Sequence, residues 1–181
     1  VEDGTTVSDH DEAELRQHVI PLVERQYGVQ ASPRGRALAG LSMGGRHTMF
    51  VGFKSLDLFG SFGVLSAGDV DSEKSIAGFL NDPGVNGKVD FLFVGQGTEE
   101  AKGRMGERAV ALRDALTRHQ IDHEYYVGGH GGHDWATWRH LVNERFLPGL
   151  WRTTSAPAAA NDFKPSSSNQ PGKAYPQVNS E

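Results

Sequence analysis

One serine lies in a sequence pattern that is typical of a catalytic nucleophile. Ser42 stands at the centre of the segment Gly40-Leu41-Ser42-Met43-Gly44, a Gly-x-Ser-x-Gly pattern. In this pattern a sharp turn between a strand and a helix projects the serine hydroxyl, and the flanking glycines remove side chains that would clash. The backbone N–H of Met43 is expected to donate a hydrogen bond to the oxyanion of a tetrahedral intermediate. The alternative is an incidental serine in a glycine-rich turn.

A glycine-rich loop near the end of the chain carries two histidines. Residues 128–135 read GGHGGHDW, which places His130 and His133 three residues apart. A histidine on such an open loop can reach a serine and accept its proton, so His133 is the expected general base and His130 the alternative. The pair could instead bind a metal ion. A His-x-x-His pattern within a glycine loop lacks the helix that fixes zinc-site geometry, so no metal or other cofactor is expected.

Three acidic side chains are candidates for the carboxylate that would orient this histidine. Glu99 and Glu100 follow one apolar segment, and Asp69 follows another. A carboxylate beside an imidazole holds the correct tautomer and stabilises the cationic form of the ring. Alternatively, Glu99 and Glu100 are acidic residues in the first turn of a helix, where the helix dipole favours them. The chain order serine, acid, histidine is that of α/β-hydrolases.

Short apolar segments alternate with helical segments and would position these groups. Strands are predicted over residues 36–41, 61–66, 89–94 and 124–127. Helices are predicted over residues 8–27, 45–54, 73–80, about 105–119, and from 135 to a stop at Pro148. The first helix is predicted to carry one apolar stripe, although Pro21 should bend it; the stripe is formed by Leu15, Val19, Leu22, Val23 and Tyr27. This alternation predicts an α/β fold, a mainly parallel sheet of about four strands with helices on both faces. The candidate groups follow the strands, and the chemistry of such sheets lies beyond the carboxyl ends of the strands.

The composition excludes several classes of protein. The net charge of −5 over 181 residues argues against a nucleic-acid partner or an anionic membrane surface. No apolar run reaches the ~18 residues that a membrane span requires. The absence of cysteine excludes disulfides, cysteine-based zinc sites and thiol nucleophiles.

Three motifs together resemble the putative esterase family, which includes feruloyl and acetyl-xylan esterases, S-formylglutathione hydrolase, enterochelin esterases and mycolyltransferases. The motifs are AGLSMGG over residues 39–45, Gly97-x-x-Glu100, and GGHDWxxW over residues 131–138 with a leucine-rich helix after it. The resemblance extends from Glu14 to Trp151. It implies an α/β-hydrolase-like fold in which Ser42 is the nucleophile, His133 the base and Glu100 the acid. Feruloyl esterases usually carry aspartate at the acid position, whereas enterochelin-type members can carry glutamate.

The resemblance implies a secreted serine esterase that hydrolyses carboxylic esters of carbohydrates, of feruloyl or acetyl-xylan type, through an acyl-enzyme. Its partner would be a small-molecule or carbohydrate ester. An acyltransferase of the mycolyltransferase type and a non-catalytic binding module are the alternatives. Trp135 and Trp138 are candidates for lining an aryl or sugar platform, although their helical spacing equally predicts packing in the core.

The part of the chain before Ser42 is shorter than in a complete domain of this family. About half of the family's domain precedes the nucleophile, whereas 41 residues precede Ser42. Residues 1–151 are therefore expected to form a partial catalytic domain in which the strand before Ser42 presents an unpaired edge and a second oxyanion donor is missing. On this interpretation the chain alone would be poorly active and marginally stable.

Residues 152–181, rich in proline and serine, are expected to form a disordered tail.

Overall fold

Four parallel strands form the sheet in the part of the chain that the structure describes. The computed structural model describes residues 7–129 and 131–150. The strands are β1 (Ala37–Leu41), β2 (Ser61–Leu65), β3 (Phe91–Gln96) and β4 (Glu124–Val127), and they lie side by side in this order. The central strands β2 and β3 are almost entirely buried, as expected for a parallel sheet that helices cover on both faces. The predicted α/β fold with a parallel sheet is confirmed.

Helices connect the successive strands. They are α1 (residues 7–26), α2 (residues 43–52), α3 (Ser72–Ser75), α4 (Ala77–Leu80), α5 (Val85–Lys88), α6 (Arg104–Arg118) and α7 (residues 135–149), with 3₁₀ turns at Pro33–Gly35 and Glu100–Lys102. The predicted helix 73–80 is two short helices, and α5 was not predicted. Helix α7 continues one residue past Pro148, because proline lies at the start of its last turn, where a missing N–H costs little.

The hydrophobic core lies on both faces of the sheet. Side chains alternate between the faces along each strand, so Val64 belongs to one cluster and its neighbour Leu65 to the other. The larger cluster packs strand residues against helices α2 and α6, and the smaller one packs Leu65 and Phe93 against helix α7. Each face is thus closed by helices, which leaves the ends of the strands open for the site.

Helix α1 differs from its predicted packing. The apolar stripe predicted from Leu15 to Tyr27 is largely exposed at Val19, Leu22, Val23 and Tyr27, and Leu15 and Ile20 are the residues that pack against the core. A π-helical segment, Leu15–Val19, precedes Pro21 and shifts the angular positions of the residues that follow it. Proline cannot donate the regular helical hydrogen bond, which accounts for the irregular turn. Within the described part of the chain, no helix is long and apolar enough to cross a membrane.

The strand register places the carboxyl ends of the strands at one level. Leu41 of β1 pairs with Leu65 of β2, and Leu65 pairs with Gly95 of β3. The residues that follow these strands therefore meet at one edge of the sheet, as the sequence predicts. Among the described residues β1 pairs with β2 only. The predicted tail, residues 152–181, lies outside the described residues.

Candidate active site

Ser42 lies in a strained turn between strand β1 and helix α2. Its backbone has φ 56° and ψ −117°, a left-handed conformation that is uncommon for a residue other than glycine. The turn is held on both sides: the Ser42 N–H donates to the carbonyl of Leu65 at 2.9 Å, and the Arg46 N–H donates to the carbonyl of Ser42 at 3.2 Å. These hydrogen bonds hold Ser42 in its strained conformation, beyond the carboxyl end of strand β1.

His133 lies within hydrogen-bond distance of this serine. Its Nε2 is 2.7 Å from the Ser42 Oγ, although the two residues are 91 positions apart. Its Nδ1 is 2.5 Å from Oε1 of Glu100. An ionised carboxylate can only accept hydrogen bonds, so Nδ1 carries the proton and Nε2 is free to accept from the serine hydroxyl. This is the tautomer that a general base for Ser42 requires.

Glu100 is buried, with 3% of its side chain exposed. Its second oxygen, Oε2, accepts hydrogen bonds from the Gly97 N–H at 2.8 Å and from the Ser66 hydroxyl at 2.7 Å. Together with the bond to His133, these donors replace the water that a buried carboxylate loses. Sequence reasoning missed Ser66, although it is the last residue of the predicted strand 61–66 and so lies at the expected edge of the sheet.

The structure separates the three candidate acids. Glu99 is exposed and forms an ion pair with Lys102. Asp69 accepts a hydrogen bond from the Ser75 hydroxyl at 2.6 Å. Partial burial would raise the pKa of Asp69, but hydrogen bonds from Ser75 and from the backbone of Asp71 outweigh it and lower that pKa below its usual value. Of the three, Glu100 is the one that contacts His133.

The other predicted site residues occupy different environments. Met43 is the first residue of helix α2, where a backbone N–H has no acceptor within its own helix, and its side chain is 71% exposed. His130 lies outside the described residues. The described residues include no group of three or more histidine, aspartate or glutamate side chains that could hold a metal ion.

The two tryptophans differ in exposure. Trp138 is 9% exposed, belongs to the core, and meets the ring of His133 edge-on with centroids 4.9 Å apart. Trp135 is 64% exposed and packs edge-on against Trp138. The burial of Trp138 favours the core-packing alternative for that residue and disfavours an open platform. Trp135 keeps the exposure that a substrate-lining residue requires, and that role stays a prediction.

Asp134 caps the helix that follows the glycine-rich loop. Its Oδ1 accepts a hydrogen bond from the Thr137 N–H at 2.9 Å at the start of helix α7. This hydrogen bond is the main reason that the pKa of Asp134 lies below its usual value. The cap therefore fixes the start of helix α7 directly after His133.

The Asp134 cap is expected to make stability depend on pH. Because the pKa is lower in the folded state, the ionised carboxylate stabilises the fold above the unfolded pKa of aspartate, and this contribution disappears as the pH falls through the folded-state pKa. We expect Asp134→Ala to lower Tm at pH 7 and the gap to wild type to narrow towards pH 3, measured by thermal unfolding. Asp134→Asn keeps an acceptor and should lose less at pH 7. A gap that is constant with pH would contradict this account.

Comparisons with known proteins identify the family of most of the chain. Residues 6–147 match the model of the Esterase family, described as putative esterase. The chain is 28% identical over 141 residues to an endo-1,4-beta-xylanase/feruloyl esterase from Xylanibacter ruminicola, covering 78% of this chain and 18% of that protein. It is 29% identical over 163 residues to endo-1,4-beta-xylanase Y from Acetivibrio thermocellus, covering 77% of this chain and 15% of that protein.

Solved structures share the fold. A ferulic acid esterase superposes with a TM-score of 0.62 at 21% identity, over 77% of this chain and 60% of that one. A mutant of the feruloyl esterase module from Clostridium thermocellum, complexed with sinapinate, superposes with a TM-score of 0.65 at 24% identity, over 87% of this chain and 64% of that one. The chain therefore spans less than two thirds of the length of each of these proteins.

Proposed function

The chain belongs to the putative esterase family, and on this premise we propose that it is a serine esterase that hydrolyses carboxylic esters of carbohydrates, of feruloyl or acetyl-xylan type. The observation that carries the proposal is the continuous hydrogen-bonded chain from the Ser42 hydroxyl through His133 to Glu100, with distances of 2.7 and 2.5 Å. A serine hydroxyl becomes a nucleophile when an adjacent base accepts its proton and a third group orients that base.

The proposed reaction begins with attack of the Ser42 Oγ on the ester carbonyl carbon. His133 Nε2 takes the hydroxyl proton as the new C–O bond forms, and the carbonyl electron pair moves onto the oxygen, which accepts a hydrogen bond from the Met43 N–H. The imidazolium, stabilised by Glu100, then protonates the leaving alcohol as the ester C–O bond breaks. Water, deprotonated by the same imidazole, then attacks the carbonyl carbon of the acyl-enzyme. The bond from that carbon to Ser42 Oγ breaks, the imidazolium returns its proton to Oγ, and the acid is released.

The proposed substrate class draws on the relatives and on one side chain. A curated relative is named a feruloyl esterase, and solved relatives are ferulic acid or feruloyl esterases. The exposed indole of Trp135 packs edge-on against the buried Trp138, which meets the His133 ring, so Trp135 presents an exposed aromatic ring near the imidazole. Such a ring suits an aromatic acyl group or the apolar face of a sugar.

Covalent labelling tests this proposal. A fluorophosphonate probe reacts with an activated serine, so the wild-type chain should gain the mass of one probe and peptide mapping should locate it at Ser42. Ser42→Ala should remain unlabelled. Ser61→Ala changes a serine at the amino-terminal end of strand β2, at the opposite edge of the sheet from Ser42, and should label like wild type.

Release of ferulate from a feruloylated xylo-oligosaccharide would establish the substrate class. Transfer of the acyl group to an added sugar would favour the acyltransferase, and a wild-type chain that stays unlabelled would contradict the proposal.

A further inference from the structure

We propose that Ser66 is a positioning residue for the acid of the triad. Its hydroxyl, oriented by the indole N–H of Trp138, holds one oxygen of Glu100 so that the other faces His133. This inference rests on the proposed function, because it concerns how the carboxylate is aimed at the base. It identifies a buried serine that does not contact the substrate but controls a group that acts in the reaction.

The backbone of Ser66 is strained in the same way as that of Ser42. Ser66 has φ 50° directly after strand β2, as Ser42 has φ 56° directly after the neighbouring strand β1. Its N–H donates to the carbonyl of Gly95 at 2.7 Å, which ties the turn to strand β3. A left-handed serine persists where surrounding contacts hold it, and such residues are concentrated at functional sites.

The direction of the hydrogen bonds follows from the chemistry of the partners. The indole Nε1 of Trp138 can only donate, so Ser66 Oγ accepts from it at 3.0 Å. The serine has one proton, and ionised Glu100 can only accept, so the hydroxyl donates to Glu100 Oε2 at 2.7 Å. The chain Trp138 to Ser66 to Glu100 therefore has a single polarity, and each donor strengthens the next in this buried environment.

Glutamate has a specific need for this support. Its side chain has one more rotatable bond than aspartate, so the carboxylate plane is less constrained by the backbone. The Gly97 N–H and the Ser66 hydroxyl both bind the same oxygen, Oε2, at 2.8 and 2.7 Å. With Oε2 held by two donors, Oε1 is directed at His133 Nδ1. Removing the Ser66 hydroxyl leaves one donor, about which the carboxylate can turn.

The first experiment measures ester hydrolysis by Ser66→Gly in the full chain. Glycine tolerates φ 50° and lacks only the hydroxymethyl group, so this variant should fold, with a Tm modestly below that of wild type because buried Glu100 and Trp138 each lose a hydrogen-bond partner. We expect kcat to fall about 10- to 100-fold with KM little changed, because a hydrogen bond to a charged group is lost. Trp138→Phe removes the indole donor, keeps an aromatic ring beside His133, and should lower kcat by a smaller factor. Ser55→Ala is the control, since Ser55 is fully buried and its hydroxyl has no hydrogen-bond partner among the described residues.

The second experiment separates positioning from a structural role. If Ser66 acts through Glu100, Ser66→Gly should have no further effect on kcat in a Glu100→Ala background. A structural role would lower kcat by the same factor in both backgrounds and would overturn the inference, as would a Ser66→Gly variant with wild-type kcat. The low-field proton NMR signal of the His133 Nδ1–H should also move in Ser66→Gly. That signal does not depend on turnover, so absent labelling of wild-type Ser42 together with a moving signal would overturn the proposed function alone.

Discussion

Replacing His133 by alanine is expected to lower kcat for ester hydrolysis by on the order of 10⁶-fold, the scale of loss when the base of a serine hydrolase is removed. The Nε2 of His133, 2.7 Å from the Ser42 Oγ, is the acceptor for the hydroxyl proton in the proposed mechanism. Without it Ser42 remains a neutral alcohol, which is a weak nucleophile. The measurement is steady-state hydrolysis of an aryl ester, with single-turnover kinetics where steady-state rates are too slow.

His119→Ala is the matched control for this prediction. His119 Nε2 lies 2.9 Å from Glu73 on the surface, so it reproduces a histidine–carboxylate pair outside the proposed site. Its replacement should leave kcat and KM unchanged. A His133→Ala variant that retains more than about one hundredth of wild-type kcat would contradict the assigned role of His133, because general-base removal costs far more. His130→Ala would then be the next variant to measure.

The second large effect is expected from replacing Gly40, the first glycine of the turn that holds Ser42. A Cβ at Gly40 would lie 2.1 Å from the carbonyl oxygen of Gly44 and 2.8 Å from the Gly45 nitrogen, so it would meet the backbone of the turn itself. Backbone atoms cannot rotate away as a flexible side chain does. We expect Gly40→Ala to lower the free energy of unfolding by roughly 3 kcal/mol, the upper part of the range for overpacking, and to abolish labelling of Ser42.

The other glycine of the same motif provides the control. A Cβ at Gly44 would have no heavy atom within 4 Å, and Gly44 lies in helix α2, where alanine is the better helix former. Gly44→Ala should therefore match or slightly exceed the stability of wild type. Urea unfolding of both variants measures the difference. Equal midpoints for Gly40→Ala and Gly44→Ala would show that the turn relaxes and that the close approach at Gly40 carries little energy.

The parts of the fold that depend on local sequence pattern could be predicted without the structure. Strand β4 has its predicted bounds, and β1 and β2 begin or end within one residue of theirs, because short apolar runs between turn residues have few other ways to bury their surface. Strand β3 starts and ends two residues later than predicted, and Val89 and Asp90 still belong to the turn after α5. The stripe on helix α1 was wrong because a π-helical segment breaks the regular period of 3.6 residues on which the prediction depended.

The candidate site, like the fold, could be predicted from the sequence only in part. Ser42, an acid and a histidine were expected at neighbouring strand ends, because parallel strands bring their carboxyl ends to one edge. The residues alone left His130 beside His133, and Glu99 and Asp69 beside Glu100. Those alternatives differ in which way a side chain leaves a loop or a helical turn, and neighbouring residues such as Glu99 and Glu100 point in very different directions. Exposure and partners distinguish the three candidate acids once the chain is folded, whereas His130 lies outside the described residues.

The amino-acid sequence by itself determined the alternation of strands and helices, the family, and the order of the chemical groups, because these depend on residue type and on spacing along the chain. The tertiary structure alone decided that Glu100 is the candidate acid that contacts His133, that Trp138 packs edge-on against the imidazole, and that the Ser66 hydroxyl donates to Glu100. Ser66 is 34 residues from Glu100 and 72 from Trp138, and contacts over such separations come from the register of the sheet and the packing of α7. The local sequence pattern therefore does not predict these contacts.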